Sequence, residues 1–145
     1  KKFDLKKGDV LFTRTSETID EIGISSVCLE DIPEAVYAGF LIRFRPQKNQ
    51  LVPLYSKFLF RNPLLRSFFA REMMIVTRAS LSQGLLKQMP VLIPPCSEQI
   101  EISNYLQKRE DIFLDITTKI ELSITKLKEY KSTLINSAVT GEINF

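Results

Sequence analysis

With 145 residues, 44% of them hydrophobic and 26% charged, the chain has the composition of one folded domain plus at most one extended element, which excludes a disordered tail and a second full enzyme domain. No stretch approaches the roughly eighteen uncharged apolar residues of a membrane span, and Lys1-Lys2-Phe3-Asp4 lacks the apolar run of a signal peptide, so the chain reads as intracellular and cytoplasmic. The net charge of +3 is unevenly spread: residues 1–96 carry 14 bases and 9 acids, whereas 97–145 carry 6 and 8.

Gly8-Asp9-Val10-Leu11-Phe12-Thr13-Arg14 alternates after a turn signal and predicts a first strand, and Ile24 to Leu29 predicts a second. Around the second strand, Glu17 to Glu34 holds six acids and no base. Tyr37 to Arg45 predicts the clearest strand, with Ala38, Phe40, Ile42 and Phe44 on one face and Arg43 and Arg45 aimed outward together on the other. From Arg43 to Lys87 nine bases face a single acid, Glu72.

After the turn-rich Pro46-Gln47-Lys48-Asn49-Gln50, Pro53 opens a helix whose apolar stripe is Leu54, Tyr55, Phe58 and Leu59. Asn62-Pro63 repeats the signal, asparagine as cap and proline in the first turn, with Leu64, Leu65, Phe68 and Phe69 as the stripe. Residues 77–84 are polar, small and terminated by glycine, and predict a loop or a single helical turn. Pro90 and Pro94 bracket a last short strand, Val91-Leu92-Ile93.

Beyond Pro94-Pro95, Ser97-Glu98 supplies a helix start and nothing breaks the helix before Gly141. At about 1.5 Å per residue, a helix of about forty residues runs roughly 60 Å, too long to be buried against the preceding domain. Leu106, Arg109, Phe113, Ile116, Ile120, Ser123, Leu127, Tyr130 and Leu134 advance by alternating steps of three and four, a heptad seam that calls for a partner helix. Two of those nine positions are polar, and Ile112, Leu114, Ile124 and Ile135 widen the stripe, which also suits a broader bundle. The expected fold is therefore α+β: a small mixed domain with a mainly antiparallel sheet over residues 1–96, then a coiled-coil-forming helix over 97–145.

Chemistry of the chain's own is hard to find. The absence of histidine removes the commonest general base, and with it Ser/His and Cys/His constellations. Cys28 and Cys96 stand far apart, suggest neither a zinc site nor a disulfide framework, and read as buried free thiols. Five scattered glycines form no nucleotide cradle, so no cofactor is expected. Asn62-Pro63-Leu64-Leu65 lacks the second proline and the aromatic of an adenine-flipping methyltransferase motif, and Glu129-Tyr130-Lys131 lacks the Pro-Asp of a nuclease motif.

The basic side chains can solvate the outer faces of helices, the usual fate of surface charge, or bind nucleic acid. Seven of the eight arginines precede residue 97, where a planar five-donor group can grip phosphates or guanine edges. The candidate DNA contacts are Arg14, Arg43, Arg45, Lys48, Arg78, Ser80, Ser82, Gln83 and Lys87, with lysines touching phosphate and arginine or glutamine reading bases. The candidate pairing residues are Leu106, Phe113, Ile116, Ile120, Leu127, Tyr130 and Leu134. The alternative is a coiled-coil protein-interaction module whose basic region docks an acidic partner.

Gly8 to Arg14, then Ala38-Gly39-Phe40-Leu41-Ile42-Arg43-Phe44-Arg45-Pro46, then Pro90 to Pro95 followed by Glu98-Gln99, resemble in this order the specificity subunits of type I restriction-modification systems. The stretch from Leu127-Lys128-Glu129-Tyr130-Lys131 through Ala138-Val139-Thr140-Gly141-Glu142-Ile143 resembles the usual end of that family's long helix. The resemblance implies a non-catalytic subunit that lends double-stranded DNA specificity to separate adenine methyltransferase and ATP-driven restriction subunits. It also implies two recognition domains reading the halves of a bipartite site, spaced by antiparallel helices. One domain and one helix are present here, and the segment expected before Gly8 is not. The chain is thus expected to be a C-terminal fragment or part of a half-length subunit that pairs with itself. The specificity segment of a fused restriction-methylation enzyme is a third reading.

Overall fold

The computed structural model describes residues 3–18, 21–73 and 80–142. Three strands come first, β1 (Val10–Thr13), β2 (Ser25–Val27) and β3 (Leu41–Phe44), followed by helices α1 (Pro53–Phe60), α2 (Pro63–Met73), α3 (Gln83–Gln88) and α4 (Cys96–Val139). The α+β class is as expected from the sequence. β1 lies between its neighbours in the order β2-β1-β3, and both pairings are antiparallel. The chain divides into two compact units, residues 1–104 and 105–145. Gln99 and Ser103, in the opening turns of α4, are buried within the first unit.

The register sets the core. Val10 opposes Phe44, and Phe12 opposes Ile42 and Ser25, so strand alternation turns these side chains to one face. Phe60 of α1, Leu65 and Phe69 of α2, and Leu81 join them, with Ile22 completing the cluster. Phe12 and Phe44 both meet the Phe60 ring edge-on, at centroid distances of 5.3 and 5.8 Å, the arrangement that aromatic quadrupoles favour. Leu11 and Arg43 oppose each other on the other face.

The helix signals act as expected, with one shift. Pro53 occupies the first turn of α1. Asn62 Oδ1 accepts the Leu64 N–H at 2.9 Å at the start of α2. Leu65 and Phe69 are buried, whereas Leu64 of the same stripe is exposed. Of the loop or single helical turn expected over 77–84, residues 77–79 lie outside the described residues, and Ser82 Oγ accepts the Leu85 N–H at 3.0 Å and starts α3 at Gln83, ahead of Gly84. At the far end of α4, Gly141 has φ of +76°, and the N–H groups of Gly141 and Glu142 close onto Ala138 and Ser137, a Schellman stop.

Three expectations are corrected. β3 covers only Leu41–Phe44, and Ala38 and Phe40 ahead of it are exposed rather than on an inner face. Val91-Leu92-Ile93 is not a strand: Leu92 and Ile93 are exposed, and the segment is held by side chains. The Tyr55 hydroxyl donates to the Leu92 carbonyl at 3.0 Å, and the Gln99 amide donates to Pro94 at 2.8 Å. Prolines at 90, 94 and 95 remove three of the six N–H groups of the strap and leave too few for a ladder. The cysteines are free, but Cys28 is half-buried and Cys96 exposed.

Gln99 has no solvent exposure. Its Oε1 accepts the Val52 N–H at 2.8 Å, and its Nε2 donates to Gln50 at 3.0 Å and to Pro94 at 2.8 Å. Gln99→Ala strands one donor and two acceptors and is expected to lower unfolding stability by about 3 kcal/mol in denaturant titrations. Gln99→Glu keeps the size but turns a carboxylate oxygen toward two carbonyls, and is expected to lose at least as much. Gly23 has φ of +71°, and a Cβ there would stand 2.8 Å from the buried Phe69 ring. Gly23→Ala therefore combines backbone strain with overpacking, an expected loss of about 2–4 kcal/mol by the same assay.

Candidate nucleic-acid interface

Most of the basic side chains expected to face a ligand divide between two places at the surface of the first unit. Arg14 follows β1 and is pinned on both sides, its N–H donating to the Phe40 carbonyl and its carbonyl accepting the Leu81 N–H, each at 2.8 Å. The next residue, Thr15, bridges to Ser80. Arg14 and Ser80 are thus neighbours across a short antiparallel contact, and Ser82 and Gln83 follow within three residues. Gln83 and Lys87 sit one helical turn apart on α3, both exposed. They rim a cavity of about 400 Å³ whose walls are apolar, among them Phe44, Leu51, Leu86 and Val91, with β3 lining it from Ile42 to Phe44. A cavity of this kind buries an apolar edge while the rim supplies hydrogen bonds.

Lys48 stands in a second concavity, of about 260 Å³, with Lys6, Lys7 and Arg45. Arg78 lies outside the described residues.

Several of the arginines have partners within the protein. Arg45 forms a two-pronged ion pair with Asp9, with Nε and Nη2 each 2.6 Å from a carboxylate oxygen, and Nη2 also donates to the Asp4 carbonyl at 3.1 Å. Arg43 donates to the same carbonyl at 2.7 Å and stacks over the Tyr37 ring at 5.3 Å. Arg66 of α2 donates to the Ile22 carbonyl, tying the loop before β2 to the helix.

Asp9 is 1% exposed. Burial pushes its carboxyl toward the neutral form, but the hydrogen bonds from Arg45 and the Lys6 N–H, with the charges of Arg45 and Arg43, outweigh it and hold the pKa below the ordinary aspartate value. On the same side, burial and the nearby charges of Asp9 and Asp31 push the Cys28 thiol up, which keeps it protonated and a poor nucleophile.

The family model for the type I restriction modification DNA specificity domain matches residues 1–126. The chain belongs to the type I restriction-modification specificity family. It is 30% identical over 125 residues to the type I restriction enzyme MjaX specificity subunit of Methanocaldococcus jannaschii, a match that covers 83% of this chain and 28% of that protein. It is 26% identical over 144 residues to the EcoKI specificity subunit of Escherichia coli K12, covering 96% of this chain and 30% of that protein. The chain thus spans less than a third of the length of these curated relatives. No solved structure matches it significantly.

Within this specificity chain the pairing residues expected from the heptad lie on α4. Phe113, Ile116, Ile120, Leu127, Tyr130 and Leu134 are 40–68% exposed, and Leu106 is half-buried. The long helix with its apolar seam fits a coiled coil. No helix among the described residues is long and apolar enough to cross a membrane. Sequence reasoning missed Lys6 and Lys7, whose approach to Lys48 depends on pairing some forty residues away, and Asp9, whose match to Arg45 is equally remote. The only local signal for the lysines was a pair of adjacent bases beside a glycine turn.

The Asp9 carboxylate contributes stability fully above the ordinary aspartate range of about 4, and the contribution is lost as the pH falls through its lower folded value. Asp9→Asn is therefore expected to lower stability at pH 7, by about 2 kcal/mol because Arg45 is partly solvated. The difference from the unmodified chain shrinks as the pH is taken from about 5 toward 2. Urea unfolding midpoints of both proteins across that range measure it.

Proposed function

We propose that this chain is the DNA-reading end of a type I specificity subunit, without a catalytic centre, that directs separate methyltransferase and restriction subunits to a bipartite duplex site. The observation that carries the reading is the grouping of Arg14, Ser80, Ser82, Gln83 and Lys87 at one end of β1 and on α3, beside the apolar cavity. Arginine pairs with guanine through two hydrogen bonds and glutamine likewise with adenine, while an apolar wall suits the thymine methyl group. Lys87 and Lys48 contact phosphate, and Arg78 joins the base-reading set. Arg43 and Arg45, on the other face of β3, contribute through their hold on the Asp4 carbonyl and, for Arg45, on Asp9.

The exposed seam of α4 pairs antiparallel with a second helix, from another recognition half or from a second copy. That same seam favours a rival reading, a coiled-coil interaction module with a basic docking surface. The two differ in sequence preference, since an interaction module has none. Co-expression with the neighbouring methyltransferase in a host free of adenine methylation, followed by genome-wide detection of N6-methyladenine, is expected to reveal one split motif. A symmetric motif would mark a self-paired subunit, and a stable complex that leaves the genome unmethylated would favour the interaction module.

Gln83→Ala is expected to relax the preference at one position of that motif by about 1–3 kcal/mol. Lys87→Ala is expected to weaken all sequences alike and to flatten the logarithmic salt dependence by about 0.9. Binding titrations against single-base variants of the site separate the two effects.

A further inference from the structure

We propose that Lys6, Lys7 and Lys48 form a backbone-phosphate clamp for duplex DNA, in the concavity between the loop entering β1 and the loop joining β3 to α1. The proposal rests on the DNA-reading function above and extends it to a site outside the base-reading group.

Four of the residues lining this concavity are basic and none is acidic. Arg45 is not the source of the excess charge, because Asp9 neutralises it with two hydrogen bonds. The three lysines are, for no carboxylate pairs with their ammonium groups among the described residues. The amides of Gln47 and Asn49 line the same hollow and add neutral donors. Such a set, compact cations with flanking amides and no stacking aromatic ring, suits phosphodiester oxygens rather than bases.

The lysines stand on a rigid base. The Lys6 N–H donates to Asp9 Oδ2 and the Lys7 N–H to Asp31 Oδ1, both at 2.8 Å. The Gly8 N–H donates to the Cys28 carbonyl at 2.8 Å. Three successive N–H groups are thus satisfied, and both acidic partners spend an oxygen on backbone. On the opposite wall, Asn49 takes a left-handed φ of 64° and the Gln50 N–H closes onto the Gln47 carbonyl, presenting Lys48 at a tight turn.

Position completes the argument. Leu51 lines both this concavity and the apolar cavity rimmed by Gln83 and Lys87, so the two hollows adjoin at that residue. Phosphates recur about every 3.4 Å of axis along each strand. On this proposal a duplex whose bases meet Gln83 runs its backbone past Leu51 to Lys48.

The test uses the full-length subunit assembled with its methyltransferase, a duplex bearing the methylated motif and a scrambled duplex, titrated by fluorescence anisotropy between 50 and 200 mM salt. For the combined variant Lys6→Gln, Lys7→Gln, Lys48→Gln the logarithmic salt slope is expected to fall by about 2.7. The unmodified protein then loses about 40-fold more affinity than the variant across that range. The ratio of affinities for the two duplexes stays unchanged, and three Lys→Arg changes at the same positions restore the slope. An unaltered slope in a glutamine variant that keeps its thermal unfolding midpoint overturns the clamp, while the unmodified protein's binding still upholds the DNA-reading function. Failure of the unmodified assembly to bind either duplex overturns that function, and the clamp with it.

Discussion

The first unit depends on one buried amide. Gln99 has no exposure, and its side chain joins three segments: the residue that caps α1, the turn before it and the proline strap ahead of α4. Few side chains can do this, because the site requires one acceptor and two donors at the end of a three-atom stem. Glutamate lacks the donors, lysine lacks the acceptor and asparagine is one carbon short. The start of α4 is fixed in the unit at the same stroke, since the Gln99 N–H also bonds the Pro95 carbonyl at 3.0 Å. The Pro94-Pro95 and Glu98-Gln99 spacing that carried the family resemblance therefore has a physical reason. Prolines leave the strap few N–H groups for a ladder, and the glutamine, with Tyr55, holds it by side-chain bonds.

A second constraint is electrostatic. Arg43 and Arg45 leave β3 on the face away from the aromatic core, where they meet the buried Asp9 carboxylate and the Asp4 carbonyl. A buried carboxylate without these partners would be costly, and a two-pronged guanidinium meets that need better than a lysine can. Arginine here does the bracing, and the lysines around it retain their charge for solvent or ligand. This shows why a count of arginines is a weak guide to a nucleic-acid face: the group best suited to phosphate is also best suited to a buried acid.

Much of the fold was legible because its signals are local. The alternation of Val10 and Phe12, the proline at the start of α1, the Asn62 cap and the Gly141 stop each act within a few residues, and each forms the element expected. The heptad of α4 was legible for the same reason. What could not be read depends on distant partners. Val91 to Ile93 looks like a strand until Tyr55 and Gln99 take the strap's carbonyls. Of the candidate interface, Ser80, Ser82, Gln83 and Lys87 were accessible as a polar cluster, and only the antiparallel contact to Thr15 brings Arg14 beside them. Lys6 and Lys7 belong with Lys48 through the pairing of β1 with β3, which no local pattern encodes.

The division into a recognition unit and a long seam has an energetic logic on the proposed reading. A surface the size of α3 and its neighbouring loop reaches only a few base pairs, and each well-made contact discriminates by about 1–3 kcal/mol. That is too little to select one site among the roughly 10⁶–10⁹ competitors in a genome. Two such units held at a fixed separation multiply their selectivities, because the second half binds at a high effective concentration once the first is seated. The gain survives only if the spacer is stiff, since a flexible tether would admit sites of many spacings. A helix of 44 residues whose large apolar side chains stay exposed until paired supplies that stiffness. The polar positions at Arg109 and Ser123 weaken the seam locally but restrict the registers in which it can pair, and register sets the distance between recognition units.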